Sequence, residues 1–438
     1  MTGARPQGAV DRLTPGFLPA SAFARLGPTA LAVLDLERPD HASLVGGEDG
    51  EQRDALVLVR AHGDPLGVLH VADERIVARA SELVSLAYEQ FGDRLRAHEQ
   101  RFACHSGDAH CHGGVAPKVP GDVAVIIATV GRIETLDRCL ASLARLSRER
   151  GEIIVVDNRP QERTRELVAG WTARDPRIRY VSEPRGGLSV ARNRGIAETE
   201  AEFVAFTDDD VIVDEAWLSW LIAPFADPEV TVTTGLVLPL KLETVAQKRF
   251  EQYAGFGKGY ERRSYDMRSN RADERLLYPY WGGMFGAGNS MAFRRAELLA
   301  AGGFDPSLGA GSIAQSGEDI DAMSSAILRG GRLVYEPRSL CWHEHRHDEA
   351  ALRRQLFNYG VGFTATLTKA MTRDRRFAGA VVRSIPVAWR AHRGHEQREA
   401  PTASLPAELG GIERRGMLRG PALYARSVRS VRQLGLRG

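Results

Sequence analysis

The chain has 438 residues, of which 43% are hydrophobic and 26% are charged, so it is globular in composition and long enough for two domains or for one large domain with extensions. Its formal net charge of +2 gives no overall bias toward nucleic acid, so function has to come from local sites. Four cysteines are too few for a disulfide scaffold and are typical of a reducing compartment. We find no signal-peptide pattern and no apolar run near the roughly 20 residues of a spanning helix. We therefore expect a cytoplasmic protein with no nucleic-acid partner, for which peripheral membrane contact stays open.

Residues 1–102 predict a small accessory α/β unit. The apolar runs at 55–59 and 66–71 are typical of strands, and the amphipathic stretch at 76–100 is typical of a helix. No catalytic constellation is evident in this part of the sequence.

Residues 103–121 are rich in Gly and Pro and predict a linker. The segment also holds side chains of metal-binding types, namely Cys104, His105, His110, Cys111 and His112. Their spacing matches no standard zinc pattern, and a site would need partners from elsewhere in the chain. A plain linker is the favoured interpretation, and metal binding is the alternative.

Residues 122–371 predict a domain in which strands and helices alternate. Continuous β-branched runs, such as those at 123–130 and 152–158, are separated by amphipathic helical segments. This alternation of strands and helices predicts an α/β fold with a mostly parallel sheet covered by helices on both faces. Ligands of such sheets bind at the carboxyl ends of the strands.

Polar side chains follow four successive predicted strands. They are Thr129, Gly131 and Arg132 after the first strand, Asp157 and Asn158 after the second, Glu183 and a Pro-Arg-Gly-Gly turn after the third, and Asp208, Asp209 and Asp210 after the fourth. Each group alone fits an ordinary turn. Together they predict a cleft for a polar ligand at one edge of the sheet.

The aspartate triplet raises the question of what offsets three adjacent negative charges. An EF-hand loop is excluded, because position 212 is Ile and the sixth position is not Gly. One interpretation is a solvated acidic turn that begins a helix. The other is a hard divalent cation, Mg²⁺ or Mn²⁺, with Asp208 and Asp210 on the same side of an extended segment and Asp209 pointing elsewhere.

The ordered motifs VIIATVGR, IIVVDN, GGLSVARNRG and FTDDD resemble those of family 2 glycosyltransferases, which have a GT-A nucleotide-sugar fold. The resemblance runs from about Val123 to about Met371. Later segments extend it, namely GAGNSMAFRR, GEDIDAMSSAILRGG and EPRSLCWHEHRH. It implies a nucleoside-diphosphate sugar donor, an acceptor that the sequence does not identify and a divalent metal, Mg²⁺ or Mn²⁺.

The resemblance also implies roles for individual residues. The nucleotide-sugar would be bound by Thr129, Arg132, Asp157, Arg192, Asp208 and Asp209. The metal would be bound chiefly by Asp210, with Asp208 and His343, and His345 and His347 compete with His343 for this role. For each of these histidines, pairing with nearby acids is the alternative to metal binding.

Asp319 is the candidate catalytic base, at the start of an amphipathic helix. The alternative is that Glu318, Asp319 and Asp321 only favour the dipole of that helix. No second carboxylate is identified as a nucleophile, so we expect a single displacement that inverts the anomeric configuration. The competing functions are a metal-dependent nucleotidyltransferase or phosphohydrolase and an inactive nucleotide- or glycan-binding module.

Two further segments leave alternatives open. Trp281, with Tyr278 and Tyr280, would form either a platform for a sugar ring or part of the core, and core packing is favoured slightly. Residues 372–438 predict a helical and strongly basic C-terminal tail, which either rests on anionic lipid or is simply solvated.

Overall fold

The structure is a computed structural model of the chain. The residues it describes are 18, 28–38, 43–45, 54–71, 80–102, 115–116, 118, 121–146, 151–270, 277–280, 282–374, 377–379, 381–383 and 407–435. The predicted ligand types between Cys104 and His112 lie outside these residues, and so does Trp281.

The N-terminal elements are β1 (Thr29–Asp35), β2 (Ser43–Leu44), β3 (Asp54–Ala61), β4 (Asp64–Val71) and α1 (Ala80–Phe102). The larger part contains β5 (Val123–Thr129), α2 (Ile133–Leu143), β6 (Glu152–Asp157), α3 (Glu162–Thr172), β7 (Ile178–Ser182), α4 (Leu188–Ala197), β8 (Phe203–Asp208), β9 (Val211–Val213), α5 (Trp217–Ile222), β10 (Val230–Pro239), α6 (Val245–Ala254), β11 (Arg263–Tyr265), β12 (Met291–Arg294), α7 (Arg295–Ala300), α8 (Glu318–Leu328) and β13 (Arg332–His343). Two long helices follow, α9 (Glu349–Arg373) and α10 (Ala407–Gln433).

The N-terminal unit is a four-stranded sheet of order β2-β1-β3-β4 with α1 on one face. Residues four apart on α1, Leu83, Ala87, Phe91 and Leu95, are buried against that face, as a helix of period 3.6 requires. Gly67 lies directly beneath the Phe91 ring, where a Cβ would come within 2.4 Å of a ring carbon. This is the small α/β unit predicted from the sequence.

The second face of the small sheet packs against the larger part of the chain. Its apolar residues share one core with residues of β10 and the segment after it, including Leu238 and Leu242. The Thr29 amide donates to the Leu242 carbonyl at 3.0 Å. Arg60 lies 2.6 Å from both Asp35 and Asp214, so an ion pair also joins the two parts.

The large sheet has nine strands, in the order β11-β13-β10-β12-β8-β5-β6-β7, with β9 paired to β13. β7, β6, β5 and β8 are parallel, as are β10 and β13. β12 runs antiparallel to both β8 and β10, and β9 and β11 run antiparallel to β13. The mostly parallel sheet predicted from the sequence is confirmed, and the antiparallel strands belong to its later half.

Both faces of the large sheet are covered. On β5, Val125 and Ile127 pack toward α2, α3 and α5, whereas Ala124 and Ile126 pack toward α4 and α8. Because both sets of alternating side chains are buried, the strand is apolar without a break.

The two C-terminal helices pack against each other through glycines. A Cβ on Gly360 of α9 would come within 2.1 Å of the Glu413 carbonyl oxygen, and a Cβ on Gly416 of α10 within 2.1 Å of the Phe357 carbonyl oxygen. Thr364 donates its hydroxyl to the Met417 carbonyl at 2.8 Å. The predicted helical C-terminal extension is therefore confirmed, and much of the interval predicted as a basic tail is a packed helix. Within the described ranges, no helix is long and apolar enough to cross a membrane.

Candidate active site

Parallel register brings the polar strand ends together at one edge of the large sheet. Thr129 at the end of β5 is the partner of Asp157 at the end of β6. On the other side of β5, Ala128 is the partner of Asp208 at the end of β8. The carboxyl ends of three strands therefore present the predicted site residues to one region of the molecule.

Arg132 supplies positive charge beside two members of the triplet. Its Nη2 lies 2.5 Å from Asp209 Oδ1, and its Nη1 lies 2.6 Å from Asp210 Oδ2. Thr129 donates its hydroxyl to Asp209 Oδ2 at 2.6 Å. Gly131, with φ of 87°, lets the chain turn between β5 and Arg132.

The buried aspartates differ in how readily they ionise. Burial raises the pKa of Asp209 to about 7, with Arg132 opposing the shift and the Asp210 carboxylate adding to it. Burial also favours a neutral Asp210, but the nearby His343, where its ring is protonated, and the Arg132 guanidinium hold the pKa of Asp210 well below its usual range. Asp210 is therefore the firmly ionised member of this pair.

Asp210 and His343 form the part of the site that fits a metal ion. Pairing of β9 with β13 places His343 opposite Val211, and its Nε2 lies 3.4 Å from Asp210 Oδ1. Among the described residues, Asp210 Oδ1 is buried and accepts no hydrogen bond. A buried carboxylate oxygen beside an imidazole nitrogen is a suitable pair of ligands for a divalent cation that takes its other ligands from substrate oxygens.

Asp208, the third predicted metal ligand, has a different partner. Its Oδ1 lies 3.2 Å from Nη2 of Arg192. In the part of the chain that the structure describes, no group of three or more His, Cys, Asp or Glu side chains is arranged to hold a metal. The predicted role of Asp208 as a metal ligand stays a prediction.

Arg192 connects the triplet to the helix that carries Asp319. Its side chain is only 2% exposed, and its nitrogens donate to Glu318 Oε1 at 3.0 Å and to the Gly288 carbonyl at 3.1 Å. Burial raises the pKa of Glu318 to about 7, with Asp319 adding to the shift and Arg192 opposing it. The predicted role of Arg192 in binding the donor stays a prediction.

Asp319 lies in the first turn of α8 and is half-buried. Its Oδ2 accepts the Gly288 amide at 3.1 Å, and its Oδ1 accepts the Ile320 amide at 2.8 Å. A Cβ on Gly288 would come within 2.8 Å of Asp319 Oδ2, so only glycine lets this backbone approach the carboxylate. The side chain is thereby held in one orientation.

Asp157 is fully buried at the end of β6. Its carboxylate accepts the amides of Arg159 and Gln161 and the Tyr180 hydroxyl, each at 3.1 Å. The neighbouring Asn158 bridges the next loop, because its Oδ1 accepts the Gly187 amide at 2.7 Å. These bonds fix the loop, and the predicted contact of Asp157 with a base stays a prediction.

Two buried groups next to these residues were not predicted from the sequence. Glu251 of α6 lies 2.5 Å from His345, the neighbour of His343. Lys369 of α9 lies 2.6 Å from Asp321 and 2.8 Å from Asp305. An isolated acid or lysine on an amphipathic helix carries no sequence signal of such a contact.

Comparisons with known proteins agree with the fold and the motifs. The family described as Glycosyl transferase family 2 matches residues 124–298. The succinoglycan biosynthesis protein ExoM of Rhizobium meliloti is 31% identical over 235 residues, which cover 52% of this chain and 68% of that protein. The chain therefore belongs to glycosyltransferase family 2, as its motifs predict, and its fold is of the GT-A type expected for that family.

The pre-mycofactocin glycosyltransferase of Mycobacterium tuberculosis is 27% identical over 295 residues, which cover 66% of this chain and 57% of that protein. The chain thus matches little more than half the length of that relative. Among solved structures, a mannosyltransferase from Pyrobaculum calidifontis in complex with GDP-Man and Mn²⁺ has a TM-score of 0.44 at 16% identity, covering 74% of this chain and 77% of that one.

Proposed function

We propose that the protein is a metal-dependent, inverting glycosyltransferase that moves a sugar from a nucleoside-diphosphate sugar to an acceptor hydroxyl. One observation carries the proposal. In a chain of this family, the ionised and buried Asp210 lies beside His343 at the same sheet edge as the polar strand ends. Asp319 is tied to that edge through Gly288 and Arg192.

Asp210 and His343 would hold the divalent cation, Mg²⁺ or Mn²⁺. When bound, the cation acts as a Lewis acid on the departing diphosphate, whose developing negative charge it stabilises. Arg132 is a further cationic group at this position, and its side chain, which is 38% exposed, is accessible to phosphate oxygens. Thr129 would keep Asp209 in place while the guanidinium moves to the donor.

Asp319 would remove the proton of the acceptor hydroxyl. The acceptor oxygen forms a bond to the anomeric carbon as the bond from that carbon to the diphosphate oxygen breaks, and the proton passes to a carboxylate oxygen of Asp319. The Gly288 and Ile320 amides orient this carboxylate. A single displacement with one base inverts the anomeric configuration.

Peripheral membrane contact is a separate part of the proposal. The exposed face of α10 carries Arg415, Arg419, Arg426, Arg429 and Arg432, and its Leu418 is 73% exposed. The acids of this helix, Glu408 and Glu413, lie in its first two turns. Basic residues near an anionic lipid surface each contribute about 1 kcal/mol, so this face supports binding to an anionic membrane.

Co-sedimentation with vesicles that contain anionic lipid tests this membrane contact and should fall when Arg419 and Arg426 are replaced by Gln. Equal binding to neutral and anionic vesicles would contradict the proposed contact.

The proposed activity is tested by release of nucleotide from UDP-, GDP- and dTDP-sugars, with Mn²⁺ or with a chelator. We expect metal-dependent release from one nucleotide class and increased release when the true acceptor is present. Hydrolysis of simple phosphate esters, or nucleotide transfer with release of pyrophosphate, would instead support a phosphohydrolase or a nucleotidyltransferase. Donor binding without any turnover would support a binding module.

A further inference from the structure

A line of buried polar contacts runs from Asp210 away from the sheet edge and into the protein. His343 Nε2 lies 3.4 Å from Asp210 Oδ1, and His343 Nδ1 lies 3.0 Å from His345 Nδ1. His345 Nε2 lies 2.5 Å from Glu251 Oε1. The four side chains come from the β8–β9 turn, the end of β13, the segment after it and α6.

The inner part of this line is enclosed. Glu251 is 1% exposed and His345 is 2% exposed. The His345 ring lies 4.5 Å from the Phe250 ring and 5.9 Å from the Phe256 ring, and Phe256 also meets His343 edge to face at 5.1 Å. Between these aromatic side chains, the imidazole nitrogens face one another, Glu251 and Asp210.

For an ionised Glu251 and two neutral imidazole rings, hydrogen-bond chemistry determines where the protons lie. An ionised carboxylate only accepts hydrogen bonds, so the proton between Glu251 and His345 is on His345 Nε2. A neutral imidazole protonated at Nε2 has an accepting Nδ1, so His343 must donate from its own Nδ1. A neutral His343 with its proton on Nδ1 carries a lone pair on Nε2, the atom that faces Asp210.

The distance between His343 and Asp210 agrees with this assignment. The 3.4 Å from Nε2 to Oδ1 is longer than the 2.7–3.2 Å of an ordinary N–H to O bond. Two ligand atoms about 2.1 Å from one octahedral ion lie about 3 Å apart. The lone pairs of His343 Nε2 and Asp210 Oδ1 repel each other unless a cation lies between them. The two atoms are therefore arranged to bind a cation.

We propose that Glu251, acting through His345, sets the tautomer of His343 so that its Nε2 lone pair points toward Asp210. Glu251 is thus a positioning residue for the cation, since it touches neither the cation nor the substrate. The proposal deepens the metal site described under Proposed function and rests on it. The tautomer itself is a property of the metal-free protein and is tested without any enzymatic activity.

The direct test is the nitrogen-15 NMR spectrum of histidine side chains in the metal-free, full-length protein. The His343 signals are assigned by their loss in His343→Gln. At a pH at which the His343 ring is neutral, we expect its proton on Nδ1 in the wild-type protein and a shift toward the Nε2-protonated tautomer in Glu251→Leu. A neutral wild-type His343 with its proton on Nε2 overturns the proposal.

Binding of Mn²⁺ alone, measured by electron paramagnetic resonance, supplies the second readout. Glu251→Leu should weaken Mn²⁺ binding by at least about 10-fold, the usual effect of removing a carboxylate that orients a metal-binding histidine. Glu251→Gln retains an oxygen that can accept the His345 proton, so its affinity should stay within about 3-fold of the wild type. Gln252→Leu, on the same helix, is the matched control and should leave Mn²⁺ binding unchanged.

The outcomes separate the two proposals. If the wild-type tautomer is as expected but Mn²⁺ does not bind, the metal site fails while the tautomer assignment stands. If Mn²⁺ binds the wild type and Glu251→Leu equally well, and the variant is folded by circular dichroism, Glu251 is not a positioning residue.

Discussion

Arg132 Nη1 lies 2.6 Å from Asp210 Oδ2, so the carboxylate proposed to bind the metal already has a positive partner. The same guanidinium also contacts Asp209. A cation that binds at Asp210 therefore enters a site where much of the negative charge is already offset, and the guanidinium becomes available to the phosphates of the donor.

Replacement of Arg132 should have opposite effects on the two ligands. Arg132→Gln removes the charge that competes with the metal, so Mn²⁺ alone should bind more tightly. It also removes a phosphate contact, so the donor should bind about 10-fold more weakly. Calorimetric titrations of Mn²⁺ and of donor measure both effects. Arg145→Gln, an exposed arginine at the end of α2, should change neither affinity. Weaker Mn²⁺ binding in Arg132→Gln would contradict the competition.

Asp319→Asn should abolish transfer without abolishing donor binding. The amide cannot take the acceptor proton, and loss of general-base catalysis typically costs 100- to 10,000-fold in rate. Steady-state transfer rates and donor titration separate the two steps. Glu297→Gln, an exposed acid on α7, serves as the control. Equal loss of donor binding and turnover would mean that Asp319 supports the donor site and is not the base.

The buried Lys369 should be important for stability. Its ammonium is shared between Asp305 and Asp321, and each of the three side chains is 6% exposed. Lys369→Met leaves these carboxylates without that charge, which should lower the free energy of unfolding by about 3–5 kcal/mol. Chemical denaturation provides the measurement. The double variant Lys369→Met with Asp321→Leu should recover part of the lost unfolding free energy. If the double variant instead loses the sum of the two single-variant losses, Lys369 and Asp321 are not coupled.

Glu318 should make stability depend on pH. Its pKa in the folded protein is about 7, above its ordinary 4.5, so the folded state binds more protons than the unfolded state between these values. The contribution of Glu318 to the free energy of unfolding is therefore fully present below about pH 4.5 and is lost as pH rises through 7. The total loss is about 3 kcal/mol. Glu318→Gln should become more stable relative to the wild type as pH rises from 5 to 8. Denaturation at each pH tests this, and exposed Glu297→Gln should show no such trend.

Two glycines of α10 offer a matched pair of substitutions. Gly416→Ala places a methyl group within 2.1 Å of the Phe357 carbonyl and should destabilise the protein by about 1–3 kcal/mol. Gly411→Ala meets only the far end of the Arg414 side chain at 3.8 Å and should be neutral or stabilising by up to about 1 kcal/mol. Thermal unfolding compares them. Equal stability of the two variants would contradict the close packing of α9 and α10.

The early half of the large sheet could be predicted from local pattern. Val125 and Ile127 face one layer of helices while Ala124 and Ile126 face the other, so the strand had to be continuously apolar. The antiparallel half could not be predicted in this way. The antiparallel pairing of β12 with β8 and β10, and of β13 with β9 and β11, depends on contacts between segments far apart in the chain. Such contacts leave no periodic signal in either segment.

The candidate site was predictable where a motif marked it. Asp210, His343 and Asp319 were selected by their motifs, and the structure ties them to one sheet edge, although their catalytic roles stay predictions. The connections between these residues were not predictable. The contacts of Glu251 with His345 and of Arg192 with Glu318 depend on which side chains become neighbours after folding. Residues 372–438 were predicted as a helical and basic tail, either on anionic lipid or solvated, and no local pattern indicated that glycines of α10 permit close approach of two helices.

Asp210 is proposed to bind the donor through a divalent cation. The most direct measurement is calorimetric titration of the nucleotide-sugar into wild-type protein and Asp210→Asn, each with Mn²⁺ and with a chelator. We expect tight binding only in wild-type protein with Mn²⁺, and weak, metal-independent binding in Asp210→Asn. Full Mn²⁺-dependent donor binding by Asp210→Asn would contradict the account.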